Sequence, residues 1–136
     1  MIVFFIEGEP VGKGRPRFTR DGHVFTPAKT RTYERHIQVV CKGAMKGKPP
    51  SALPQLVSIE VEVKPPKSWS KAKKLDALTG KIAPGKPDLD NVAKAVLDGC
   101  NGVAYLDDAQ VVGIFATKRY DEEEGVRVQI EEKSHG

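Results

Sequence analysis

Leu56-Val-Ser-Ile-Glu-Val-Glu-Val-Lys64 alternates apolar and polar residues without a break. Val57, Ile59, Val61 and Val63 fall on one side of an extended chain, with Ser58, Glu60 and Glu62 on the other. That is the pattern of a strand with one buried face. Pro65-Pro66 stops it, because proline cannot donate to a strand ladder.

Working outward, Ile2 to Glu7 reads as a first strand, rich in Val, Ile and Phe. Gly8 to Arg17 carries too many Gly and Pro residues for an element interior. Asp21-Gly22 between Phe18-Thr-Arg and His23-Val-Phe-Thr is a hairpin signal. Pro27 opens a helix running to about Met45, with Tyr33, Ile37, Val40 and Ala44 spaced by three or four. Ser68 to Leu78 reads as a short Lys-rich helix closed by Gly80, and residues 83–87 as a loop. A further helix spans about Asp88 to Cys100 and ends near Asn101-Gly102. Val111 to Arg119 and Val126 to Ile130 read as the last strands. Runs of strands mixed with helices predict an α+β fold, one small domain over residues 1–136 with a mixed sheet flanked by helices.

The chain has 136 residues, enough to bury a core without a stapling metal or disulfide. Cys41 and Cys100 are far apart and match no metal-ligand spacing, so both read as packed thiols of a reducing compartment. The apolar start is short and lacks a basic lead, and no run approaches membrane-spanning length. The expectation is a cytoplasmic protein with no membrane partner. Net charge is +4, and its distribution is uneven. Residues 1–50 hold ten Lys/Arg against four Asp/Glu, whereas residues 101–136 hold four against eight. A basic N-terminal part suits a polyanion.

The chemistry concentrates in Lys86-Pro-Asp-Leu-Asp-Asn-Val-Ala-Lys-Ala-Val-Leu-Asp98. Val92, Ala95, Val96 and Gly99 make the buried face of the helix. Asn91, Lys94 and Asp98 share another side, with Asp90 beside them and Asp88 ahead of the first turn. Helix capping alone explains two acids at a helix start. Asp107-Asp108 adds a second acidic spot, and a short loop with a returning strand is expected to bring it back to the helix start. Three or four oxygen donors together are what Mg²⁺ or Mn²⁺ needs. A turn-forming Asp-Asp is the alternative for that pair. Lys94, one turn from Asp90, can meet charge developing on a phosphoryl group, or simply pair with Asp90 or Asp98. His23, His36 and His135 are scattered, and no phosphate-binding glycine loop or nucleophile motif competes.

Lys86-Pro-Asp-Leu-Asp-Asn with Lys94, Asp98, Asn101-Gly102 and Asp107-Asp-Ala-Gln-Val111 resembles the RusA family of Holliday-junction resolvases. So does Gly12-Lys-Gly-Arg-Pro-Arg17, followed by Thr26-Pro and Thr30. The resemblance spans about Gly8 to Arg119. It implies a homodimer that cuts four-way DNA junctions by paired nicks with Mg²⁺ or Mn²⁺. It places the essential carboxylates, as metal ligands, on Asp88, Asp90 and Asp108, and the essential lysine on Lys94; Asp107 and Asp108 differ by one position and the choice stays open. Lys13, Arg15 and Arg17 in the basic loop are the expected DNA contacts, with Trp69 and Lys71, Lys73 and Lys74 as a secondary patch. Two other readings are compatible with the residues: a DNA-binding protein without catalysis, and a metal nuclease acting on another branched nucleic acid.

Overall fold

A computed structural model describes residues 1–14, 17–25 and 27–133, with the side chains of Arg17 and Phe25 outside that description. Its strands are β1 (Ile2–Glu7), β2 (Arg17–Phe18), β3 (Val24–Phe25), β4 (Gln55–Val63), β5 (Val111–Tyr120) and β6 (Gly125–Glu132). Its helices are α1 (Ala28–Met45), α2 (Lys71–Leu78) and α3 (Leu89–Cys100), and a 3-10 turn covers Asp108–Gln110. The α+β class and the mixed sheet read from the sequence are the architecture observed.

The alternating segment is central. Strand order is β1-β6-β4-β5, with β4 antiparallel to β6 and parallel to β5. A parallel neighbour needs a crossover rather than a hairpin. Here α2 and α3 supply it. β1 closes one edge against β6, and β5 forms the other. β2 and β3 make a separate small hairpin around Asp21-Gly22, where Gly22 has φ +80°, a conformation glycine takes without strain.

One core joins the sheet to α1 and α3. Tyr33, Ile37 and Cys41 of α1 and Val92, Val96 and Cys100 of α3 meet Ile6, Val57, Ile59, Val126 and Val128. The two helices approach most closely at Gly99, where a Cβ would lie 2.6 Å from Ile37 Cγ2. On α1 the buried stripe runs through Thr30, Tyr33, Ile37, Cys41 and Met45. Val40 and Ala44, read from spacing as core positions, are only half-buried at its margin. The spacing allowed either row, and contact with α3 and β1 selected the one that includes Cys41.

β4 also departs from the simple alternation. Glu62, on its polar side, is 1% exposed, not solvated. Arg127 Nε donates to it at 3.0 Å from the neighbouring strand β6, and Arg119 Nη2 approaches it at 3.5 Å from β5. Those cross-strand partners make burial of the carboxylate tolerable.

Candidate active site at the start of the crossover helix

Asp88 stands at the N-cap position of α3, with extended backbone, and Asp90 lies in the first turn. Capping predicts that the Asp88 side chain accepts from a first-turn amide. No such bond forms. Asp88 Oδ2 instead receives a long hydrogen bond from Asn91 Nδ2, 3.4 Å. Both acids are exposed. Helix capping therefore does not account for Asp88.

Lys94 follows one turn later on the same rim. Asp88, Asp90 and Lys94 share an open groove with Leu89, Ala93 and Leu97 of α3 and with Ile114 and Ala116 of β5. Among the described residues none of these three charged groups enters an ion pair. Two exposed hard carboxylates beside open solvent suit Mg²⁺, which keeps several waters and takes one or two carboxylates plus phosphate oxygens. An unpaired ammonium on the same rim adds a cation for a phosphate.

Asp98, on the same helix, has a different environment. Lys13 Nζ makes an ion pair with its carboxylate and lies 3.4 Å from Glu34 Oε1 of α1. Hydrogen bonding to Asp98 is the main reason the Lys13 ammonium is held above its ordinary value. The Lys13 backbone N–H also donates to Asn91 O at 3.0 Å, and Gly14 N–H donates to Thr30 Oγ1 at 2.9 Å. Gly12 passes so close to α3 that a Cβ there would lie 3.1 Å from Asn91 Cβ. The glycines thus let the basic loop lie directly on α3, and Lys13 pins it there. Lys13, expected as a free DNA contact, is found half-buried and committed to two carboxylates. Arg15 and the Arg17 side chain lie outside the described residues.

The second acidic spot sits elsewhere. Asp107 takes the N-cap position of the 3-10 turn. Gln110 Oε1 accepts from the Asp107 N–H at 2.8 Å, and Gln110 Nε2 donates to Ser51 O and Leu53 O at 2.8 and 2.9 Å. The turn is thereby tied to the entry of β4. This reciprocal arrangement explains an acid at position 107 by folding. Asp108 is exposed, and among the described residues its carboxylate has no ion pair or hydrogen bond.

The expectation that the loop after α3 returns the Asp107-Asp108 pair to the helix start is corrected by the topology. Because β5 is parallel to β4, α3 must run back along the sheet before β5 begins. Lys118, near the end of β5, donates from Nζ to Pro87 O just ahead of α3, 3.1 Å. At the other end Tyr105 OH donates to Leu97 O at 2.7 Å. Burial, chiefly, pushes the Tyr105 phenol up, with Cys100, Asp108, Cys41 and Asp98 adding to it. Asp108 thus belongs with the end of α3 and Asp88 with its start. Twelve helical residues separate the two, roughly 18 Å at a rise of about 1.5 Å per residue. Among the described residues no three Asp, Glu, His or Cys side chains converge on one point.

The sequence profile described as endodeoxyribonuclease RusA matches residues 7–131, nearly the whole chain. The chain belongs to the RusA endodeoxyribonuclease family. A RusA-type chain of similar length, the Bacillus subtilis (strain 168) protein named "Uncharacterized protein YqaN", is 40% identical over 141 residues, covering 98% of this chain and 97% of that one. Family membership makes a nuclease of the protein at the level of class, and the α3 groove is where its unpaired acids are found. No helix among the described residues is long and apolar enough to cross a membrane. The secondary patch of the sequence reading is partly folded away. Lys73 Nζ lies 4.1 Å from the centre of the Trp69 ring, which packs edge-on against Tyr120.

Proposed function

We propose that the protein is a metal-dependent endodeoxyribonuclease that resolves four-way DNA junctions by paired nicks, acting as a homodimer with Mg²⁺ or Mn²⁺. The observation that carries this reading is the groove at the start of α3. Asp88, Asp90 and Lys94 stand there exposed and free of ion pairs, in a chain of the RusA family. Folding does not need them in that state, since unpaired like charges repel.

In this reading Asp88 and Asp90 hold the metal, with Asp108 as the third carboxylate. Asp107 is set aside because the Gln110 arrangement already uses it. A bound divalent cation supplies Lewis acidity and a more acidic water at the phosphodiester. Lys94 faces the phosphoryl oxygens and offsets the charge that grows on them. The Gly12–Gly14 segment, pinned to α3 through Lys13, holds the following Arg15 and Arg17 toward the DNA backbone. Lys13 here is a positioning residue. Its ammonium orients the loop and leaves phosphate contact to the arginines.

The test is cleavage of a labelled four-way junction beside matched duplex and single strand, with Mg²⁺ and with EDTA. Metal-dependent paired nicks on the junction are expected. Cleavage of another branched substrate in preference would move the reading to a different nucleic acid. Tight, salt-sensitive binding with no cutting in either metal would replace it with an architectural role.

A further inference from the structure

Asp108 has the character of a metal ligand, yet it lies one helix length from Asp88 and Asp90 in its own chain. Both facts hold together if the acids meet between chains. We propose that the nuclease site is composite: Asp88, Asp90 and Lys94 come from one subunit and Asp108 from a second copy docked across the free edge of β5. This rests on the nuclease reading above and goes beyond it, since that reading is silent on which subunit supplies Asp108.

The geometry of β5 favours such a partner. β5 is hydrogen-bonded only to β4, so its outer edge presents a row of unpaired backbone groups, a template for another strand. It is 10 residues long. Val112, Ile114 and Phe115 along it are exposed, Phe115 by 70%, and Leu106, next to the acidic pair, is exposed as well. The groove beside this edge is floored by Leu89, Ala93, Leu97 and Ala116, an apolar strip that nothing in the chain covers among the described residues. Soluble proteins rarely leave a long apolar edge strand bare.

Two-fold symmetry then sets the pairing. An isologous contact brings the same strand from each copy together in opposite directions. With the axis passing near Gly113 to Phe115, the beginning of one β5 lies beside the end of the other. The Lys118–Pro87 hydrogen bond marks what sits at that end, namely the residues leading into Asp88. Asp108 of the partner subunit therefore arrives at the start of α3. Charge favours the meeting: Lys94 and Lys118 flank the place where that carboxylate lands, and neither has an ion-pair partner among the described residues. Each dimer contains two such sites, matching a reaction that makes two nicks.

Complementation decides the point. Asp90→Asn and Asp108→Asn chains carrying different tags are co-expressed, and the heterodimer is isolated by two successive affinity steps. In a composite arrangement one site collects both substitutions and the other collects none. The heterodimer should then nick junctions with about half the site number of the wild-type dimer and bind about half as much Mn²⁺, counted from the loss of the free-ion resonance. Each homodimeric variant should do neither. A heterodimer as inactive and as poor in Mn²⁺ as its parents would overturn the proposal and put Asp108 in its own chain's site. Phe115→Asp gives an independent check. It should convert the dimer to a folded monomer by light scattering and circular dichroism, with Mn²⁺ binding lost; a folded monomer that still binds and cuts would overturn it too. A wild-type chain that neither binds Mn²⁺ nor cuts would instead sink the nuclease reading itself.

Discussion

The two ends of α3 carry the same residue type in opposite circumstances. At the start, Asp88 and Asp90 are exposed, without ion pairs, and open to a groove. Ten residues beyond Asp88, Asp98 is half-buried and held by Lys13, which also reaches Glu34. The folded chain satisfies one acid and leaves the others unsatisfied. An acid that has a partner is part of the scaffold, and an acid that folding leaves alone is available to a ligand. The same distinction separates Asp107, whose turn is closed by Gln110, from Asp108.

The sharpest break of that contrast is to remove one charge at each end. Asp90→Asn should lower junction cutting by roughly 10³-fold or more while junction binding persists. Asp98→Asn should leave most of the activity and lower stability instead. Equal losses of cutting from the two substitutions, measured in single-turnover assays, would erase the distinction. Lys94→Gln comes next, with an expected loss of roughly 10²-fold in the cutting rate and little change in thermal midpoint.

Smaller effects sharpen the scaffold side. Gly99→Ala introduces a Cβ 2.6 Å from Ile37 Cγ2, where α1 and α3 touch. It should cost about 1–3 kcal/mol in urea unfolding, since the neighbouring helix must shift. Lys13→Ala should cost about 1 kcal/mol, because a partly exposed pair contributes little. It should also weaken junction binding by loosening the loop that carries Arg15 and Arg17.

The pH dependence points the same way. The Asp98 hydrogen bond raises Lys13 above its ordinary value of 10.5. A group with a raised folded value contributes fully below its unfolded value, and that contribution fades as pH climbs through the folded one. Burial, against a smaller opposite pull from the Val11 backbone, pushes Tyr33 from 10.0 up to about 12, with the same sign. Stability should therefore be flat through neutrality and fall above about pH 10, and Tyr33→Phe should remove part of that fall. An unchanged alkaline limb in the Tyr33→Phe variant would show that the phenol does not contribute to it.

Much of the fold was legible because its signals are local. The period-two run at 56–64, the Pro-Pro stop, the Asp21-Gly22 turn and the 3.6-residue stripe of α3 each act over a few residues, and each recurs in the structure within one to three positions. The α1 stripe was read one row off, since Val40 and Cys41 are both apolar and only the packing of α1 against α3 and β1 chooses between them.

For the site, the sequence by itself determined the inventory: Asp88, Asp90, Lys94, Asp98, Asp107 and Asp108, with a basic loop far upstream. Only the tertiary structure decided their circumstances. The Lys13–Asp98 pair joins positions 85 apart, so no local pattern announces that Asp98 is taken. The buried Glu62 is likewise explained only by Arg127 and Arg119 on neighbouring strands. Chain order places Asp108 a short loop after α3, but the parallel pairing of β4 with β5 makes α3 run back along the sheet and leaves that loop at its far end. A sequence fixes how near two residues are along the chain. The direction of the helix between them, and so which acids share a groove, is set by strand pairing that a one-dimensional pattern does not encode.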